Sequence, residues 1–151
     1  MQIVDFRADL AGAFRALNEA WIRRYFALEP KDVEVLSDPQ GKIIDAGGHV
    51  FFVVDQGQAI GCCALIALPD GAFEVAKMAV AEPHKGRGLG RALMAACVER
   101  AKALGAPRLY LETNSGLGPA LGLYRSFGFR DVDFAEPSPY ARADVAMELT
   151  L

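Results

Sequence analysis

The chain has 151 residues, with 16 Lys+Arg against 19 Asp+Glu, a formal charge of -3, and 52% hydrophobic and 23% charged residues. That is one domain's length, able to bury roughly 68–70% of its unfolded surface, and the composition of a packed globular chain, which excludes disorder as the dominant state. The slightly acidic balance argues against a surface built to grip nucleic acid, and no apolar run approaches the roughly 18 residues that span a bilayer.

The start, MQIVDFRADL, lacks a basic stretch followed by an apolar one, and Cys62, Cys63 and Cys97 are odd in number. We therefore expect a reducing, cytoplasmic setting and no membrane partner. Nothing between residues 1 and 151 reads as a linker or repeat, so we expect one domain.

Phe14, Leu17, Trp21, Tyr25 and Leu28 recur at helical spacing and predict an amphipathic helix over 9–28. A short helix opening at Pro30 follows, then a turn at Asp38-Pro39-Gln40-Gly41. Residues 49–54 and 59–68 read as strands joined through Asp55-Gln56-Gly57, and Pro69-Asp70-Gly71 leads into a third strand over 73–80. On such a strand the adjacent Cys62 and Cys63 point to opposite faces.

The second half changes rhythm. Leu89, Leu93, Cys97, Ala101 and Leu104 predict a helix that Gly105 stops. Residues 108–112 read as a strand, 117–127 as a helix with Gly128 after it, and 145–151 as a last strand. Strand, helix, strand in this half implies a crossover and a parallel pair within an otherwise antiparallel sheet, hence a mixed α/β domain.

The most informative stretch is Pro83-His84-Lys85-Gly86-Arg87-Gly88-Leu89-Gly90-Arg91, between a strand and a helix. Glycine permits positive φ and close approach to the backbone. Successive amides there, with the free amides of the helix start, make an anion cradle. Helix starts normally favour acids, yet Lys85, Arg87 and Arg91 crowd this one and no acid falls between Pro83 and Val98. That crowding points to a bound anion. A dinucleotide fingerprint needs glycine where Arg91 stands, and a phosphate-binding loop of nucleotide hydrolases needs a Gly-Lys-Ser/Thr ending that is missing.

The run Lys85-Gly86-Arg87-Gly88-Leu89-Gly90 resembles the Q/R-x-x-G-x-G/A signature of the GNAT-type N-acetyltransferase superfamily, with Lys85 where the family usually has Gln or Arg. Downstream, Glu112-Thr113-Asn114, Ala120, Leu123-Tyr124 and Gly128-Phe129 resemble that family's Asn, Leu-Tyr and Gly-Phe segment. The resemblance covers most of the chain. It implies the GNAT fold, a central, mostly antiparallel twisted sheet with one splayed parallel strand pair, flanked by helices. It also implies acetyl-CoA as co-substrate and an amine as acceptor, with a homodimer as a possible assembly.

Carried onto these residues, the resemblance gives the pyrophosphate cradle to Lys85, Gly86, Arg87, Gly88, Leu89, Gly90 and Arg91. It gives the pantetheine arm to Met78, Ala79 and Val80, with Asn114 near the mouth. Tyr124 matches the tyrosine that protonates the departing sulfur. Glu74 is the expected base, placed by period-2 alternation on the face of Met78 and Val80; Glu112 and water are the alternatives. The first helices and the C-terminal loops offer Trp21, Tyr25, Phe26, Glu29, Tyr140 and Arg142 to the acceptor. Neither His49 nor His84 has companions at ligand spacing, so we expect no metal. Cys62 and Cys63 have no adjacent base and read as packing residues, which favours direct transfer over a covalent enzyme intermediate. The alternative function is a catalytically silent CoA-binding sensor domain.

Overall fold

Neighbouring residues of the central strands are apolar in both phases, so the sheet has to be covered on both faces. Val50, Phe52, Cys62 and Ala64 enter one core, while Phe51, Val53, Cys63 and Leu65 enter another. The two cysteines do point to opposite sides. The computed structural model describes residues 1–151.

Seven strands form one sheet: β1 (Gln2–Asp5), β2 (His49–Asp55), β3 (Gln58–Ala67), β4 (Phe73–Val80), β5 (Arg108–Thr113), β6 (Arg130–Val132) and β7 (Val145–Thr150). Their order is β1-β2-β3-β4-β5-β7-β6, and every neighbouring pair is antiparallel except β4 with β5. Helices α1 (Ala11–Tyr25) and α2 (Pro30–Ser37) cover the face of Phe52 and Cys62 through Phe14, Ile22, Val35 and Leu36. Helices α3 (Leu89–Ala103) and α4 (Gly118–Ser126) cover the other through Leu89, Leu93, Cys97 and Leu121. The expected mixed α/β sheet with one parallel pair is the architecture found.

Two irregularities position the site. First, β4 and β5 are in register only at Phe73–Leu109 and Glu74–Tyr110. Beyond those pairs β4 runs six residues further and β5 three, with no pairing between them. The strands part and leave a slot. Second, β4 carries a bulge. Cys62 of β3 faces Ala79 and Ala64 faces Ala76, so one residue of β3, Cys63, matches two of β4, Lys77 and Met78, and Lys77 takes up the difference at φ 54.

That bulge overturns one expectation. Phe73 and Val75 join the α3 side, and so do Met78 and Val80; the alternation has slipped by one residue between them. Glu74 pairs with Ile66 and shares the phase of Ala76 and Ala64, on the α1 and α2 side. It is therefore on the opposite face from Met78 and Val80, because a bulged residue breaks the period of two.

Other boundaries shift for local reasons. The first helix ends at Tyr25, not at 28: Phe26 is extended, and Glu29 is held extended ahead of Pro30. A 3-10 turn, Ala8–Leu10, precedes it. The turn expected at 38–41 is instead the entry to a π-helical turn, Gln40–Ile44, with Asp38 Oδ1 accepting the Gly41 N–H at 3.0 Å. The edge strands β1 and β6 were absent from the sequence reading.

Candidate active site

A cavity of about 770 Å³ follows the slot between β4 and β5. Its walls come from both faces of the sheet. Tyr124 of α4 packs with the α3-side core, whereas Glu74 sits on the α1 side, yet both line this one space. Where the strands part, a reactant on one face can reach a reactant on the other.

At one end stands the glycine loop. Gly86 and Gly88 both have φ 79, a region open to glycine and strained for other residues. Gly88 is the N-cap of α3, and no side chain caps that helix. Its first amides are therefore left for an anion. By contrast α2 is closed by a reciprocal capping box between Glu29 and Asp32. A Cβ on Gly90 would stand in ordinary van der Waals contact, 3.4 Å from Leu123 and 3.8 Å from Met78 Sδ, so the demand for glycine in this loop rests on Gly86 and Gly88. The donor set suits a pyrophosphate.

The basic side chains around the loop have local partners. Lys85 Nζ lies 2.8 Å from Glu82 and 5.2 Å from the Tyr25 ring centre. Arg87 meets His84 Nδ1 at 2.7 Å, and Arg91 donates to Ser126 Oγ at 3.1 Å. Lys85, Gly86, Gly88, Leu89 and Gly90 line the cavity, as do Met78, Ala79, Val80, Asn114 and Tyr124; Arg87 and Arg91 stand outside it. Asn114 has a structural duty: it donates to the Arg142 carbonyl at 2.8 Å and accepts the Gly116 N–H at 2.8 Å.

Burial pushes the Tyr124 phenol up to about 12, against a weaker opposing hydrogen bond with Thr113, so it stays protonated at neutral pH. Burial raises the Glu74 carboxyl to about 7, helped by the nearby Glu112 charge and opposed by Lys77. A carboxyl there is poised to take or give a proton at physiological pH. Glu112, by contrast, is held as an acceptor by Tyr110 Oη at 2.8 Å and Ser138 Oγ at 2.6 Å.

The end of the cavity away from the glycine loop is framed by an ion network that sequence reasoning missed. Lys77 Nζ donates to Asp32 Oδ1 at 2.8 Å and to Tyr140 Oη at 2.9 Å. Arg142 grips the same carboxylate with two donors, at 2.8 and 2.6 Å, and reaches Glu29 at 3.3 Å. Asp32 is fully buried and held down to about 2: burial opposes the charge, but hydrogen bonds from Arg142 and Lys77 outweigh it. Tyr140 lies between the two cations, 4.3 Å from Lys77 Nζ and 4.5 Å from the Arg142 guanidinium carbon, measured to its ring centre.

This network corrects one expectation. Glu29 does not present a free carboxylate to the acceptor, because it caps α2 and accepts from Arg142 and from the Ala141 N–H at 3.0 Å. Trp21, Tyr25, Phe26, Tyr140 and Arg142 do line the cavity, with Trp21 edge-on to Phe26 and Tyr25 half exposed at the rim. A local sequence signal for Asp32 did exist: an acid three residues after Glu29 at a proline-opened helix is a capping pattern.

Comparison with known proteins agrees with this geometry. The model of the Acetyltransferase (GNAT) family matches residues 13–129. The chain belongs to the GNAT family. It is 38% identical over 133 residues to streptothricin acetyltransferase of Streptomyces lavendulae, covering 82% of this chain and 67% of that protein. The chain spans between about half and two thirds of the length of the curated relatives it matches. Among solved structures, a GNAT-family acetyltransferase from Staphylococcus aureus Mu50 superposes with a TM-score of 0.90 at 15% identity, over 99% of this chain and 98% of that one. The yncA structure from Salmonella typhimurium, which holds its cofactor acetyl-CoA, superposes with a TM-score of 0.77 at 18% identity, over 99% and 93%. No helix of the chain is long and apolar enough to cross a membrane.

Proposed function

We propose that this GNAT chain moves an acetyl group from acetyl-CoA directly to an amine, with both held in the slot at once. The observation that carries this is the shared cavity: an anion cradle and a protonated phenol on one face of the sheet, a carboxyl with a pKa near 7 on the other. When bound, acetyl-CoA supplies the activated acyl group. The amides of Gly88, Leu89 and Gly90 hold the pyrophosphate, and the unpaired stretch of β4 after Glu74 offers its backbone to the pantetheine arm.

Glu74 takes a proton from the amine. Tyr124 gives one to the departing sulfur as the nitrogen–carbon bond replaces the carbon–sulfur bond. Catalysis through a cysteine does not fit these residues. Burial raises Cys62 to about 12, and the contact with Cys97, followed by burial, raises Cys63 well above its ordinary value. Neither is a thiolate at neutral pH. All three cysteines are free and buried, which suits a reducing compartment such as the cytoplasm.

The test is a calorimetric titration with acetyl-CoA, with NAD as control, followed by thiol release in the presence of amines. Micromolar acetyl-CoA binding, no NAD binding and amine-dependent thiol release are expected. Folded protein that ignores acetyl-CoA overturns the reading.

A further inference from the structure

The charges of the acceptor end can be counted in full. Two cations, Lys77 and Arg142, face four carboxylates, Glu29, Asp32, Glu74 and Glu112. Both cations are committed to Asp32, with Arg142 also on Glu29. Glu74 and Glu112 are left over. The donors on Glu112 are the neutral hydroxyls of Tyr110 and Ser138, which orient its carboxylate without cancelling its charge. Glu74 has no hydrogen-bond or ion-pair partner in the protein. The remaining lysine of the cavity wall, Lys85, stands at the glycine-loop end, paired with Glu82.

The two surplus carboxylates also have a spacing. Glu74 is in register with Tyr110, and Glu112 follows Tyr110 by two residues on the same side of β5, as the Tyr110–Glu112 hydrogen bond requires. Two residues of strand advance roughly 7 Å and neighbouring strands lie roughly 5 Å apart, so the two backbone positions are roughly 8–9 Å apart, a span that two glutamate side chains can close onto the nitrogens of a four-carbon chain. Trp21, Phe26 and Tyr140 supply apolar walls that suit methylene groups between those nitrogens.

We infer that the acceptor is a diamine: one nitrogen meets Glu74 and is acetylated, while a second, remaining cationic, meets Glu112. This rests on the acetyl-transfer reading above and narrows it to a substrate class. The same inventory excludes acceptors with a carboxylate near the amine, since no uncommitted cation is there to receive it and two carboxylates repel it. The second cation has a further effect. The Glu112 charge helps keep Glu74 protonated, so neutralising it with substrate releases Glu74 to act as base.

Putrescine, butylamine and gamma-aminobutyrate share a four-carbon chain and differ in the charge of the far end, positive, absent or negative. With full-length protein and saturating acetyl-CoA, kcat/KM for putrescine is expected to exceed that for butylamine by about tenfold or more, the scale of one hydrogen-bonded charge pair. Gamma-aminobutyrate is expected to fall below butylamine. Glu112→Gln should collapse the putrescine-to-butylamine ratio towards one. Calorimetric binding of the three amines to the CoA-saturated protein gives the same order independently of turnover. Equal binding and turnover of putrescine and butylamine, or a ratio unchanged by Glu112→Gln, overturns the diamine inference. Absence of acetyl-CoA binding overturns the acetyl-transfer reading instead.

Discussion

Asp32, at the start of α2, and Lys77, in the bulge of β4, form a buried ion pair at 2.8 Å, 45 residues apart in sequence. Arg142 closes on the same carboxylate from the C-terminal loop. Three separate parts of the chain thus meet at one buried acid. Removing it leaves Lys77 without a carboxylate partner and Arg142 with Glu29 alone, in a low-dielectric interior, so Asp32→Ala is expected to cost about 3–5 kcal/mol, read by urea denaturation. A loss under about 1 kcal/mol would show that water reaches the site and solvates both cations.

The same group predicts a stability profile. The folded pKa of Asp32 is about 2, below its ordinary value of 3.8. Its contribution is therefore complete above the ordinary value and is lost as pH falls towards the folded one. Thermal midpoints should drop steeply between about pH 4 and pH 2 in the native protein. Asp32→Asn should flatten that part of the curve, and an unchanged slope would assign the acid sensitivity elsewhere.

Glu74 predicts an activity profile of the same sense, centred near neutrality instead. A base has to be deprotonated, and its carboxyl is raised to about 7, so kcat/KM should rise with pH and level off above neutrality. Tyr124, at about 12, remains protonated across that range and adds no descending limb. Glu74→Gln should lower kcat by about 10²–10⁴ and remove the limb near pH 7. A limb that survives the substitution belongs to the amine or to Glu112.

Tyr124→Phe separates acid catalysis from packing. The ring packs at 6.1 Å from Phe129 and is retained by the substitution, so the core keeps its shape. Turnover is expected to fall at least about tenfold while acetyl-CoA affinity is unchanged. Unchanged kcat removes the phenol from the mechanism.

Gly88→Ala tests the cradle. An added Cβ meets nothing within 4 Å, so the penalty comes from the backbone at φ 79 alone, about 1–2 kcal/mol of stability. Acetyl-CoA affinity should weaken about tenfold, because the strained N-cap no longer aims its amides. Affinity equal to the native protein's would place the pyrophosphate elsewhere.

The elements with strong local signals were readable from the sequence: α3 between Gly88 and Gly105, the hairpins at Gln56-Gly57 and Gly71, and the loop with its cradle. Both hairpin turns carry the positive φ that their residues allow. The four residues of β1 and three of β6 are too short to show a period, and pairing with β2 and β7 defines them. The bulge at Lys77 was invisible for a different reason. Lysine is not a residue that announces positive φ, and the ion pair that holds it there comes from Asp32, far along the chain. Hence simple alternation along β4 puts Glu74 on the wrong face.

Only Phe73–Leu109 and Glu74–Tyr110 stitch β4 to β5. The sheet is therefore two leaves, four strands and three, fastened at one corner in the manner of a clothes-peg. Phe73 and Leu109 share the core beneath α3 and act as the pivot, and the jaws are the unpaired ends of β4 and β5. Widening the jaws breaks no ladder within either leaf. Helix α3 packs on both leaves through one core, so substitutions beneath that helix are where the width of the slot is expected to change.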